Sequence, residues 1–413
     1  MNTSTLDFEK ACFVSHLECS ETGSRIEADK LHGLSTSGAP LLVKYDLISA
    51  QNSFNKKELS HRPSNIWRYR ELLPYKSTKD IISLGEMMTP LIEMPLTANK
   101  LGGESLLIKD EGRMPTASFK ARGIALAVTM AKSFGIKKIA IPTAGNAGAA
   151  LSAYAARAGI EAYVFTPEDT PEVTLKEIAF HGAKTFRVKG LIDSCGKVVN
   201  GGIDEMGWFD MSTLKEPYRI EGKKTMGFEI AEQLNWSLPD VIFYPTGGGT
   251  GIIAMWKAFK ELKEIGWIHG PLPRMVAVQT TGCAPIVHAF ESGFDSVPLP
   301  WNPVKTNVHG VRVPKPLGDR LILRTIRESE GFAIAVEDFE VEDSRIATAK
   351  ETGFHLCPEG SACLVAYQKS LRKKMIRKTD QAVLFNCANG LKSPMPVQTL
   401  ELDVSENIDY SKL

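Results

Sequence analysis

Val241-Ile-Phe-Tyr-Pro-Thr-Gly-Gly-Gly-Thr-Gly-Ile252 reads as a short buried strand, a turn with four glycines in five positions, and the opening of a helix. Glycine loses more conformational freedom on folding than any other residue, so this density implies backbone that comes close to a ligand. Free N–H groups at a helix start favour an anion, and phosphate suits them best. The turn is not the Walker pattern, because Gly247 to Gly251 are not followed by Lys-Ser or Lys-Thr. Nor is it a GxGxxG dinucleotide fingerprint.

The same texture extends outward from this stretch. Apolar strand-like runs recur at 106–108, 139–141, 162–165, 275–278 and 382–385, with helical patterns at 147–158, 222–234, 251–264 and 341–353 among them. Alternating β and α units imply a parallel sheet covered by helices, with ligands at the carboxyl ends of the strands. A turn-rich polar region gives way to this pattern near residue 85, where the catalytic body is expected to begin.

Composition narrows the function classes. The 413 residues carry 49 Lys+Arg against 48 Asp+Glu, a formal charge of +1, so no global positive field gathers nucleic acid or anionic lipid. Hydrophobic residues at 43% and charged residues at 23% are ordinary for a folded globular chain. The start Met1-Asn-Thr-Ser-Thr-Leu-Asp-Phe-Glu-Lys10 lacks the basic and apolar segments of a secretory signal, which reads as cytoplasmic. No run approaches the roughly 20 apolar residues of a membrane span. Seven scattered cysteines fit reduced thiols, no CxxC pair supports a structural zinc, and the eight histidines show no HExxH spacing.

Two further segments carry chemistry. Lys120 follows a strand-like run and stands near a helix N-terminus, where the dipole and partial burial disfavour an ammonium and favour a neutral nucleophile or Schiff-base former. For most lysines a solvated surface position is the ordinary reading. Ile139-Ala-Ile-Pro-Thr-Ala-Gly-Asn-Ala-Gly-Ala-Ala150 is a second strand, tight turn and helix, suited to a carboxylate or phosphate; an ordinary βα turn explains it equally well.

A lysine near a helix start, an asparagine turn and a glycine-rich phosphate cradle, in that order, resemble the fold-type II pyridoxal-phosphate enzymes. Trp67-Arg-Tyr-Arg-Glu-Leu-Leu-Pro74, Leu84-Gly-Glu-Met-Met-Thr-Pro-Leu91, the Lys120 segment, Pro217-Tyr-Arg-Ile-Glu-Gly-Lys-Lys-Thr225 and Asn389-Gly-Leu-Lys392 are similar to the threonine synthases among them. The resemblance implies an α/β fold of two three-layer αβα domains with twisted, mostly parallel sheets and pyridoxal 5′-phosphate in the cleft between them. It implies a large cofactor-binding domain of 86–140 and 221–413, a smaller substrate-side domain of 141–220, and an N-terminal extension of 1–85. That extension would carry a degenerate cysteine knuckle around Cys19 that no longer binds metal. A homodimer acting on a small amino-acid substrate, with neither nucleic acid nor membrane as partner, is expected on the same ground.

Residue by residue, the resemblance makes Lys120 the Schiff-base lysine and proton carrier. Asn146 would bond the cofactor's phenolic oxygen, and Gly247, Gly248, Gly249, Thr250 and Gly251 would cradle its phosphate. Cys387 would face the pyridine nitrogen, which a thiol leaves unprotonated. Thr143, Ala144, Gly145, Ala147 and Gly148 would hold the substrate carboxylate, while Arg219, helped by Lys223, would bind a substrate phosphate. The implied reaction is a Lys-mediated γ-elimination and β-addition that turns O-phospho-L-homoserine and water into L-threonine and phosphate.

Several departures favour an alternative, a serine or threonine dehydratase or another elimination enzyme on a β- or γ-substituted amino acid. Glu216 puts a carboxylate beside the expected phosphate site, and Met87-Met88 would narrow the entrance. Ala121 and Cys387 also resemble dehydratase-like sequences. The segments 309–314 and 358–360 are candidates to line the pocket or bind a monovalent cation.

Overall fold

A computed structural model describes residues 12–397 together with 399, 401, 402, 405, 408 and 410. The segment 1–10, read above for targeting, lies outside the described residues. In chain order, β1 (Val14–Cys19), β2 (Arg25–Ile26) and β3 (Leu41–Tyr45) form a small antiparallel sheet. β4 (Leu91–Glu93) and β5 (Ser105–Asp110) begin a second sheet. β6 (Lys138–Pro142), β7 (Glu161–Pro167), β8 (Lys184–Val188) and β9 (Phe209–Asp210) make a third, wholly parallel and ordered β8-β7-β6-β9. β10 (Val241–Pro245), β11 (Arg274–Thr280), β12 (Phe332–Val336) and β13 (Gln381–Asn386) complete the second, in the order β12-β11-β10-β13-β5-β4. Only β4 runs antiparallel there.

Strand β10 shows why the apolar runs are continuous. Val241 and Phe243 belong to the core on one face of the sheet, and Ile242 and Tyr244 to the core on the other. A strand buried on both faces has no position for a solvated side chain.

The helix Lys120–Ser133 is buried at every position from 121 to 131, and it shares a core with Ile139 and Ile141 of β6 and Val164 of β7. It crosses the helix Tyr218–Gln233 closely enough that a Cβ on Gly222 would stand 2.1 Å from Arg122 O. Charge fixes the register of this crossing. Arg122 Nε donates to Glu111 Oε2 at 2.6 Å and its Nη atoms donate to both oxygens of Glu229 at 2.5 and 2.7 Å. Lys109 Nζ donates to Glu229 Oε2 at 2.7 Å. All four side chains are fully buried, and the two cations balance the two carboxylates. Burial alone would push the Glu229 carboxyl up; Arg122 and Lys109 outweigh it and hold it below the usual range.

In the N-terminal sheet, Cys19 Sγ lies 3.3 Å from Ser35 Oγ and 3.5 Å from Ser37 Oγ. The hydroxyls, Ser35 foremost, lower this thiol to about 6. No helix among the described residues is long and apolar enough to cross a membrane.

Candidate active site

A cavity of about 790 Å³ lies at the carboxyl ends of β6, β10 and β13. It is lined by Lys120, by Thr143, Ala144, Gly145, Asn146 and Ala147 after β6, by Gly247 to Gly251 after β10, by Arg219, and by Cys387 after β13. These residues are far apart in the sequence, and the second and third sheets bring them together. Gly148 and Lys223 do not line it.

Lys120 is the first residue of its helix, with Nζ 4.0 Å from the Phe119 ring centroid. Burial is the main cause that lowers its amine to about 8; the Cys387 thiol opposes this and Arg219 adds to it. Cys387 is itself pushed well above the ordinary thiol range by burial, so it stays protonated.

The turn after β6 is held by Thr143, whose Oγ1 accepts from Gly145 N at 3.0 Å and Gly148 N at 3.2 Å. Those two N–H groups are therefore committed, and the expectation that both would hold a carboxylate gives way to a smaller donor set. The N–H groups of Ala144, Asn146 and Ala147 have no protein acceptor among the described residues. The Asn146 side chain likewise has none.

The turn after β10 is shaped from outside. A Cβ on Gly247 would stand 2.5 Å from Gly310 O, and one on Gly251 2.0 Å from Tyr244 Oη. Gly249 has φ +74°, and a Cβ there would meet Ile322 Cδ1 at 2.2 Å. Glycine density here thus reflects contact with protein as well as room for a ligand. The helix Thr250–Glu264 begins immediately after, with no side-chain cap on its first N–H groups.

Arg219 is 1% exposed, and its guanidinium makes one hydrogen bond among the described residues, from Nη1 to Met211 O at 2.9 Å; Nε makes none. The neighbouring Glu216 turns away from the cavity. Its Oε2 accepts from Tyr218 N at 2.8 Å and Arg219 N at 3.1 Å, and Oε1 stands 3.9 Å from Arg219 Nε. Burial raises this carboxyl to about 7, with Arg219 pulling the other way.

Met87 and Met88 do not border the cavity: Met87 is exposed and Met88 N donates to Ser64 O at 2.9 Å, so neither narrows an entrance. His309, Gly310, Val313, Pro358 and Glu359 do line it.

Sequence reasoning missed Tyr244, which lines the cavity and whose buried hydroxyl lies beside the Cys387 thiol. The available signal was a tyrosine in an apolar strand directly before the glycine turn. It also missed two ion pairs between segments distant in sequence: Arg312 with Asp169 at 2.6 and 2.8 Å, and Lys392, which lines the cavity, with Glu177 at 2.7 Å.

Comparison with known proteins bears on these features together. A profile described as pyridoxal-phosphate dependent enzyme matches residues 82–388. The threonine synthase of Methanocaldococcus jannaschii is 33% identical over 379 residues, 91% of this chain and 92% of that protein. The threonine synthase of Methanosarcina acetivorans is 33% identical over 395 residues, 95% and 94% of the two chains. Among solved structures, maize serine racemase aligns with a TM-score of 0.64 at 19% identity, covering 80% of this chain and 94% of that one. Processed threonine deaminase isoform 2 of Solanum lycopersicum aligns at 0.62 and 18% identity, covering 85% and 93%. These structures share the fold.

Proposed function

This chain belongs to the pyridoxal-phosphate dependent enzyme family, and from that premise we propose that it converts O-phospho-L-homoserine and water to L-threonine and phosphate, the threonine synthase reaction. The observation that carries the reading is one cavity uniting Lys120, two strand-to-helix turns and a buried, under-bonded Arg219.

The donor set fits pyridoxal phosphate. Lys120 offers an amine at about 8, the uncapped helix start at Thr250 and the N–H groups of 247–251 offer an anion cradle, and Asn146 has a free amide. The protonated Cys387 thiol supports a neutral partner for a ring nitrogen, and Tyr244 stands beside it. When bound, the cofactor supplies an electron sink for charge developing at the substrate Cα.

Each side chain then has a task that its surroundings support. The neutral Lys120 amine takes a proton from the substrate Cα, and its ammonium form returns protons during the sequence. The N–H groups of Ala144, Asn146 and Ala147 bind the α-carboxylate. The Lys120 amine then takes a proton from Cβ as the side-chain phosphate, bound by Arg219, leaves Cγ with its bonding electron pair; a proton is delivered to Cγ, and water gives its hydroxyl to Cβ and its remaining proton to the released phosphate. Glu216, committed to N–H groups of its own helix start, need not oppose that phosphate.

The test follows phosphate, threonine and 2-oxo acid from the cofactor-loaded protein given O-phosphohomoserine, serine or threonine. Phosphate and threonine are expected in equal amounts from the first. Oxo acid from the hydroxy amino acids, with phosphohomoserine inert, would replace this reading by an elimination enzyme. By the same resemblance we propose a cytoplasmic homodimer with the smaller domain of 141–220 on the substrate side. A monomer mass in analytical ultracentrifugation would overturn the dimer.

A further inference from the structure

Lys223 is a buried lysine that the reaction above leaves without a task. It is 0% exposed within the helix Tyr218–Gln233 and does not itself line the cavity, but its Nζ reaches Oγ1 of Thr250, which does. Its stem fills the space beside Gly123, where a Cβ would stand 3.1 Å from Lys223 Cε. Its neighbour in sequence sets the contrast: Lys224 pairs with Glu221 at 2.7 Å and Glu261 at 2.6 Å. Lys223 has no carboxylate ion pair among the described residues.

The groups that face Lys223 do not compensate. Arg219 and Glu216 act from its own helix and the residues before it, Lys120 from the crossing helix, and the Cys387 thiol from the end of β13; Nζ is 5.0 Å from the Phe119 ring centroid. Burial and the two cations outweigh Glu216 and hold the amine well below the lysine range. A buried ammonium in this setting needs an anion near it. The N-terminus of the helix that begins at Thr250 is where the cradle would hold one.

We propose that Lys223 is a positioning residue for the cofactor's phosphate: by donating to Thr250 Oγ1 it leaves the Thr250 hydroxyl proton free to face the glycine turn, and it takes up one proton from solvent when phosphate arrives there. This rests on the cofactor assignment and moves Lys223 from the substrate's phosphate to the cofactor's. The sign follows from linkage: a site that gains a proton on binding loses affinity as pH rises, by at most about tenfold per pH unit.

The experiment compares equilibrium binding of pyridoxal phosphate and pyridoxal to the cofactor-depleted full chain between pH 7 and 9, above the second phosphate pKa of about 6. The pyridoxal phosphate to pyridoxal affinity ratio is expected to fall with pH in the native protein. Lys223→Met and Lys223→Gln should lower that ratio at pH 7 by about 10- to 100-fold and flatten its slope. Pyridoxal binding should stay within about twofold, and circular dichroism should report an unchanged fold. Equal weakening of both compounds would mean a structural role, and an unchanged ratio would mean none; either overturns the proposal. A slope that persists in both variants assigns the proton to Glu216 and overturns it too. If neither variant folds, the native ratio decides: a slope supports the proposal and a flat ratio ends it. Failure of the native protein to bind either compound would strike the cofactor assignment instead.

Discussion

The two strand-to-helix turns that face the cavity reach the same end by opposite means. After β6 the backbone is held from within, by Thr143 Oγ1 and two N–H groups. After β10 no side chain of the turn does this; Thr246 Oγ1 bonds back to Tyr244 O at 2.9 Å, and Gly310 O, Ile322 and Tyr244 occupy the places where side chains would stand. A turn held by two hydrogen bonds can shift with the molecule it meets. One walled in by its neighbours is a mould, suited to a group that never changes. On the function proposed above, the turn after β6 would serve the substrate and the turn after β10 the cofactor.

Several variants would break or sharpen that contrast. Lys120→Ala removes the amine both turns serve, so turnover measured by phosphate release should fall at least about 10³-fold with the far-ultraviolet spectrum unchanged. Arg219→Ala should lower kcat/KM for phosphohomoserine about 100-fold, and for serine or threonine far less. Equal losses on all of these substrates would remove Arg219 from the phosphate role.

Gly249→Ala attacks the mould. A left-handed φ of +74° costs about 1–2 kcal/mol for a residue with a Cβ, and the approach of Ile322 adds to it. Thermal stability and pyridoxal phosphate affinity should both drop. Thr143→Val attacks the adaptable turn and should cost about 1–2 kcal/mol, appearing in the KM for substrate while cofactor affinity holds. A loss of cofactor affinity there as large as in Gly249→Ala would erase the distinction between the turns.

The smallest effect is one of pH. Only the neutral Lys120 amine attacks a carbonyl, so cofactor attachment, followed by absorbance, should quicken about tenfold from pH 7 and level off above about 8. A rise that continues toward the ordinary lysine value of about 10.4 would show an amine not shifted by burial.

The strands were legible in the sequence because burial on both faces writes them as unbroken apolar runs, as in Val241 to Tyr244. Lys120, Asn146 and Gly247 to Gly251 were legible because each sits where a strand hands over to a helix. Two-residue β9 and antiparallel β4 carry too few residues for a period. What remained hidden depends on contacts distant in sequence. The hydroxyl that uses up Gly145 and Gly148, and the Arg312–Asp169 pair spanning 143 residues, leave no local pattern. Lys223 and Lys224 are adjacent and chemically alike, yet only packing gives one a pair of carboxylates and the other a single hydroxyl.

The quartet of Lys109, Glu111, Arg122 and Glu229 bears on how this chain tolerates change. Replacing any one member strands a charge in the interior, at a cost of about 3–5 kcal/mol, whereas removing an oppositely charged pair together restores neutrality. Arg122→Met and Glu229→Met combined should cost less than the sum of the two single replacements, giving a large coupling in a double-mutant cycle. Any exchange at Arg122, on the helix that carries Lys120, is therefore tolerated only together with a compensating exchange at one of its carboxylate partners.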